Sequence, residues 1–453
     1  MLKRFLFLFI STLLFSIDGV AQKSWTLDNC IAYALEHNLG QEAQNYNSKI
    51  NKEKWQQSKR DLLPTIQVSY PSYNVSFGRT LDRVTNSFTN TRFVSGLSGG
   101  LSSSLTLFES FKKWHTLAYQ KLIYESSKFD SQEAQYNLAF KIMELFNSVL
   151  FQEGALAIVK EQQTANLLRQ KVIVKKVALG LVAKSDLYEI EAVTSSDALE
   201  VLRAENSLRE VKLSLIQEMN LEALDITIVQ GIVMKMPIST NELSNIENMF
   251  GTSQTSLPSL QKHKLSVEMA KKELAIKKTA LLPSIRLGAS ISTGFSDNFK
   301  DSSGNTVPFS EQIKNNQSKF FGLSLNYPIF GNGRTRSAIK IAKITLEKAK
   351  TQLKIEQQRV YKIIQELLQK NNALISEKQL NIKEIKAKKV AYTFAKKKFE
   401  KNLINLYDLQ IASTNYLKTK IEQIRLKTQI AIQKRTLDFY NGTFVLPTLS
   451  TSN

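Results

Sequence analysis

Along residues 93–107, large apolar side chains alternate with small polar ones. Phe93, Leu97, Leu101, Leu105 and Leu107 share one parity, and Gly96, Ser98, Gly100, Ser102, Ser104 and Thr106 share the other. A period of two marks a strand whose faces meet different surroundings. Residues 284–296 repeat the pattern, with Ile285, Leu287, Ala289, Ile291 and Phe295 set against Ser284, Arg286, Gly288, Ser290 and Ser292. A third run sets Phe321, Leu323, Leu325, Tyr327 and Ile329 against Gly322, Ser324 and Asn326. Nearer the N-terminus, Ile66, Val68 and Tyr70 give way to Tyr73, Val75 and Phe77, so the parity flips across Pro71 as a bulge requires. Strands are therefore predicted at about 65–78, 92–107, 284–296 and 319–330. Any one of them could belong to a soluble sheet packed on a core. Taken together, with no conventional core sequence around them and no spanning helix expected, they read as transmembrane β-strands, for which ~9 to 11 tilted residues suffice. The polar stretches 79–91 and 297–318 then read as loops on the outer side.

The rest is helical in pattern. Proline is missing from 72–236 and from 329–446, and no glycine lies between 334 and 441. Ala342, Leu346, Ala349, Leu353, Val360, Ile363, Leu367 and Leu374 follow alternating steps of four and three, with Glu356 and Lys370 in the two vacant seam positions. That is a coiled-coil heptad. Long helical hairpins are expected at about 109–220 and 334–441; the run from Phe111 to about Leu179 alone makes a rod of roughly 100 Å. They turn at Gly180 and Asn402, residue types that tolerate the left-handed conformation ending a helix.

The chain also repeats itself. LLPTIQVSY at 62–70 returns as LLPSIRLGA at 281–289, and GLVAKSDL at 180–187 returns as NLINLYDL at 402–409, 222 positions later. Leu107-Phe108 and Ile329-Phe330 have the same offset of 222. A period this long is a duplicated half-protein, not a short solenoid unit. The expected organisation is a signal peptide (1–21), a first repeat (22–230), a connecting equatorial segment (231–260), a second repeat (261–446) and a C-terminal tail (447–453).

Composition mainly excludes. MLKRFLFLFISTLLFSIDGVAQ places Lys3 and Arg4 before an apolar stretch from Phe5 to Phe15, then Gly19-Val20-Ala21, so export with cleavage after Ala21 is expected. Cys30 is the only cysteine, and no intrachain disulfide can form. His37, His115 and His263 lie far apart without ligand spacing, and no phosphate loop, nucleophile elbow or paired-carboxylate motif occurs. No catalytic residue, metal or cofactor is expected. A formal net charge of +21 raises nucleic-acid binding as an option. The lysines are spread along helical runs such as AKKKFEK in an exported chain, which favours solvated helix faces and no nucleic acid.

Four strands cannot close a membrane barrel, which starts at ~8, and lipid does not tolerate an open sheet edge. Two copies would supply eight strands around a filled lumen; three would supply twelve and leave room for a channel. A structural or adhesive coiled-coil surface protein without transport is the alternative, although a stalk needs only heptads. The order of signal peptide, WTLDNCIAYALEHNL, the first LLP strand, LTLFES, LGLVAKSDL, LLPSIRLGA, NYPIFGNGRTR and NLINLYDLQIA resembles the TolC-like outer-membrane efflux family over essentially the whole mature chain. The resemblance implies an α/β membrane protein: a homotrimeric twelve-stranded β-barrel in the outer membrane of a Gram-negative bacterium, continued into the periplasm by a long α-helical coiled-coil barrel. It implies a passive exit duct for an efflux pump or type I secretion system, served by a periplasmic adaptor protein and an inner-membrane transporter of RND or ABC type.

The same resemblance places an adaptor-docking tip at Leu179, Gly180, Leu181, Val182 and Ala183, with Asn402, Leu403 and Ile404 as the second-repeat turn. It places Asp408 at the periplasmic constriction, with Asp186 as its counterpart. Asp186 and Glu189 also have the spacing of a capping box at a helix start. The next acid of the family pattern is Ile411 here, and a basic residue often found at the turn is Ile404, so the charged lock is incomplete. Strand parity assigns lipid contact to Leu97, Leu101, Leu105, Leu287, Ile291, Leu323 and Leu325, making outer-membrane lipid a further partner.

Overall fold

A computed structural model describes residues 24–82, 86–229 and 242–448; the signal-peptide reading and the end of the C-terminal tail lie outside the described residues. In chain order the elements are β1 (Ser24–Trp25), α1 (Leu27–His37), α2 (Leu39–Arg60), β2 (Thr65–Asp82), β3 (Ser87–Phe108), α3 (Lys112–Ala178), α4 (Lys184–Met219) and β4 (Thr227–Ile228). There follow α5 (Glu242–Ser256), α6 (Pro258–Thr279), β5 (Ser284–Ser296), α7 (Phe309–Asn315), β6 (Ser318–Asn326), α8 (Arg334–Glu400) and α9 (Leu406–Tyr440). They form two compact units, one holding 47–129 and 262–355, the other holding the remainder.

The first unit contains a four-stranded antiparallel sheet in the order β2-β3-β5-β6. The parity flip at Pro71 is a register shift between Ser69 and Ser72, where β2 carries one residue more than β3. A second irregularity, between Ser76 and Gly78, hides the continuation of the hairpin from a simple alternation count. Pairing runs on to Asp82↔Ser87, so much of the stretch expected as a loop at 79–91 is strand. β6 ends at Asn326, short of the expected 330; Pro328 has no N–H to give a ladder. The stretch 297–318 is not simply loop either, because α7 covers the last turn-ward residues of β5. Gln312, almost fully buried, accepts from Ser296 N at 2.9 Å and donates to Ser296 O at 2.9 Å, while Asn316 donates to Gly294 O at 3.0 Å. Covering an edge in this way satisfies backbone groups that would otherwise invite foreign strands.

Both transitions from strand to long helix use paired left-handed residues: Ser110 and Phe111 (φ 51° and 63°), then Asn332 and Gly333 (φ 52° and 75°). The buried Ser110 hydroxyl donates to Pro283 O at 3.0 Å, which ties the first of these corners to the second LLP phrase.

In the second unit, the main core brings Cys30, Ile31 and Ala34 of α1 against Ile142, Phe146 and Val149 of α3 and Leu215, Ile216 and Met219 of α4. α3 contains a stretch long and apolar enough, by length and composition, to cross a membrane, contrary to the expectation of no spanning helix. Leu138, Ala139, Ile142 and Phe146 of α3 are buried in this core, although only about 33% of the apolar stretch is buried. Met249, Leu257 and Leu260 pack on Val360 and Ile364 in a second cluster. The heptad of α8 also needs correction beyond Val360. Ile364 and Asn371 are buried where Ile363 and Lys370 were expected, since a 3.6-residue turn drifts against a 3.5-residue repeat. Glu356 does occupy the seam, held by Arg359 through Nε at 2.7 Å and Nη2 at 2.6 Å.

Candidate docking turns and outward sheet face

The two hairpin turns share one construction. At the end of α3, Gly180 N donates to Val177 O at 3.0 Å and Leu181 N to Lys176 O at 2.8 Å. At the end of α8, Asn402 N donates to Phe399 O at 2.9 Å and Leu403 N to Lys398 O at 2.9 Å. Each is a Schellman motif with the left-handed residue, Gly180 (φ 70°) or Asn402 (φ 57°), just past the helix. Lys176 Nζ donates to the Asn402 side-chain oxygen at 3.1 Å and links the two turns. Beneath them Ile173, Ile190 and Leu406 form a buried cluster on which Val182 and Phe399 pack.

A Schellman motif is usually accompanied by a contact between the residue following the turn and the last helical turn. Here Leu181 and Leu403 remain 67% and 68% exposed, and Leu179 is 74% exposed. The turns hold leucines in solvent without using them for their own closure. Val182 and Ile404 are half-buried, and Ala183 is exposed.

The structure corrects the capping reading of Asp186 and shows that Asp408 is not a cap either. α4 starts at Lys184 with Ala183 as N-cap, and α9 starts at Leu406 with Asn405 as N-cap, its side chain accepting from Asp408 N at 2.8 Å. Asp186 and Asp408 lie inside the first turn of their helices, where a carboxylate meets the positive end of the dipole. At Asp186 the D-x-x-E spacing misplaced the start because the N-cap, Ala183, lies three residues earlier. Asp408 is exposed and Asp186 half-buried.

Above the turns, polar side chains join the helices. Gln162 of α3 accepts from Ser413 Oγ of α9 at 2.9 Å, and Lys420 of α9 meets Glu161 at 2.7 Å. Asn166 donates to Asp197 at 2.6 Å and accepts from Arg169; burial pushes the Asp197 carboxyl up, against the opposing pull of Asn166.

In the sheet, directly paired residues share a face. Leu105, Leu287 and Leu323 form one row; Val68, Leu101 and Ile291 form another; Tyr73, Leu97 and Phe295 a third; Leu325 stands opposite Ile285. All seven residues assigned to lipid contact fall on this face. The same parity also carries smaller and charged members, which the register sets beside apolar neighbours. Ser103 pairs with Ala289, and Ile291 pairs with Lys319, so small residues and one lysine interrupt the apolar surface. The opposite face brings Ser102, Ser104, Ser290 and the glycines together. A side chain on Gly100 would lie 2.6 Å from Ile291 O, so the close approach of β3 and β5 depends on that glycine. Among the described residues no group of three or more His, Cys, Asp or Glu side chains could hold a metal ion.

The chain thus combines a four-stranded antiparallel sheet with two very long helical hairpins. Residues 252–443 match the model of the outer membrane efflux protein family. That match spans 192 of the 453 residues, the part of the chain that carries LLPSIRLGA and NLINLYDLQIA. Solved structures similar in fold include the outer membrane channel CmeC of Campylobacter jejuni (TM-score 0.77, 16% identity, 94% of this chain and 87% of that one). CusC, whose crystal structures concern folding and transmembrane channel formation, gives a TM-score of 0.76 at 15% identity over 92% of each chain. The open state of the MtrE outer membrane channel of Neisseria gonorrhoeae gives 0.73 at 18% identity, over 94% of this chain and 91% of that one. Against curated proteins, nothing matches.

Proposed function

We propose that the chain is a passive exit duct in the outer membrane of a Gram-negative bacterium, working in a tripartite efflux pump or a type I secretion system. The observation that carries this is the open sheet. β2 and β6 bound it, and each has an unpaired edge among the described strands. β6 and the β2 of another copy would continue the antiparallel order, and three copies would close a ring of twelve strands with the leucine-rich face outward in lipid. The long hairpins α3–α4 and α8–α9 would then continue the duct as a helical barrel in the periplasm. Internal duplication is supported by the backbone: left-handed residues recur 222 positions apart at Ser110/Asn332, Phe111/Gly333, Gly180/Asn402 and Asn220/Gly442.

In this reading the exposed Leu179, Leu181 and Leu403 at the two turns dock a periplasmic adaptor, which links the duct to an RND or ABC transporter. Asp408, exposed and unneeded as a cap, would give a ring of three carboxylates at the constriction, with Asp186 more withdrawn. The test is single-channel recording of purified protein in planar bilayers. The proposal expects discrete conductance steps with a cation preference that Asp408→Asn weakens; a protein that inserts without conducting would refute the duct.

A further inference from the structure

One row of the leucine-rich sheet face reads Ile66, Ser103, Ala289 and Phe321, large at its ends and small in the middle. The rows on either side contribute Leu101 and Ile291, and Leu105, Leu287 and Leu323. The small pair leaves a dent of about 280 Å³, walled by Leu101, Ile291 and Phe321 and cornered by Lys319. The volume lies just below that of pockets for compact ligands, ~300 Å³ upward, and suits a segment of flexible chain. The Lys319 side chain is exposed and makes no ion pair among the described residues.

We propose that this dent binds an anionic membrane amphiphile, with an acyl chain over Ser103 and Ala289 and a phosphate on the Lys319 ammonium. The inference rests on the outward, lipid-contacting reading of this face. An ammonium among lipid-facing side chains is costly unless its stem carries it to headgroup level and an anion meets it there. A phosphate supplies both the charge and the acceptors. A glycerophospholipid and a lipid A share this chemistry.

Native mass spectrometry of the detergent-purified assembly tests the proposal. Equimolar phosphatidylglycerol and phosphatidylcholine with identical tails are added, and diphosphorylated lipid A is added in a separate arm. The wild type should retain phosphatidylglycerol or lipid A about fivefold over phosphatidylcholine, the weight of one lysine at a charged lipid surface. Lys319→Gln should erase the preference, and Ser103→Leu with Ala289→Leu should lower retention of all three. Retention confined to lipid A would identify the source, whereas retention of both anionic lipids would show that the phosphate alone is read. Equal retention of all lipids by the wild type, or a preference surviving in Lys319→Gln, would overturn the proposal while leaving the face in the membrane. Loss of every lipid, together with normal membrane insertion of Leu287→Arg, would instead mean that the underlying outward reading is wrong.

Discussion

Leu287 sits at the centre of the sheet, in an inner strand, flanked directly by Leu105 on β3 and Leu323 on β5's other neighbour β6. Replacing it with arginine puts a charge in the middle of an apolar row. On the outward reading, the cost is about 2 to 4 kcal/mol per copy at the membrane midplane and near 0 to 1 at its interfaces. At 1.4 kcal/mol per tenfold, the midplane figure is roughly a 30- to 700-fold loss in the insertion equilibrium. Ser102 provides the matched control: it pairs with Gln67 and Ser290 on the opposite face, where an added arginine would meet water. Its effect should stay within about 0.5 kcal/mol, as for other solvated positions. Both variants would be refolded into lipid vesicles, with the urea midpoint as readout and membrane fractionation in cells as a second measure. Leu287→Arg with a wild-type midpoint, or Ser102→Arg as damaging as Leu287→Arg, would refute the assignment of faces.

At the first turn, a Cβ on Gly180 would meet open space, so Gly180→Val should cost only the left-handed backbone strain of about 1 to 2 kcal/mol. A urea titration should show that drop with the sheet intact, and transport should be lost if this turn docks an adaptor. At the second turn, Asn405→Ala should lower stability by about 1 kcal/mol through the lost N-cap, whereas Asp408→Asn should change thermal melting far less. A larger melting change at Asp408 than at Asn405 would contradict the assignment of Asn405 as the cap. Burial pushes the Cys30 thiol up to about 12, so a maleimide at pH 8 should label it only after denaturation. The sign follows: the thiol's share of stability is complete below its unfolded value, near 9, and fades as pH rises toward 12.

What could be read from the sequence depended on how local each signal was. Alternation located all four long strands, and the flip at Pro71 located a bulge, because both are written into neighbouring side chains. The second irregularity near Ser76 broke the same alternation, and the outer part of the β2–β3 hairpin then passed for loop. Lys319 shares the parity of Phe321, Leu323 and Leu325, so alternation alone puts it on the leucine-rich face; what register adds is its cross-strand neighbour Ile291, a link between different strands. Gln312 is another case: its burial comes from α7 folding onto the edge of β5, and nothing in FSEQIKN alone requires it. At the turns, Gly180 and Asn402 were legible from their backbone tolerance. The cap positions were not, since Ala183 caps without any side-chain bond and Asn405 precedes the acids that drew attention. Along α8, Ile364 and Asn371 take the place of two expected seam residues while Leu374 keeps its own, because helix turn and heptad repeat do not match.

Closure of the open sheet by neighbouring copies is tested most directly by cysteine cross-linking between its two edges. In a Cys30→Ser background, pairs would be scanned between Ile66 or Val68 on β2 and Leu323 or Leu325 on β6, followed by oxidation in the membrane and denaturing electrophoresis. The account predicts that at least one pair yields a ladder that stops at three copies. A ladder that stops at two, one that continues past three, or no intermolecular cross-link at any pair would contradict it.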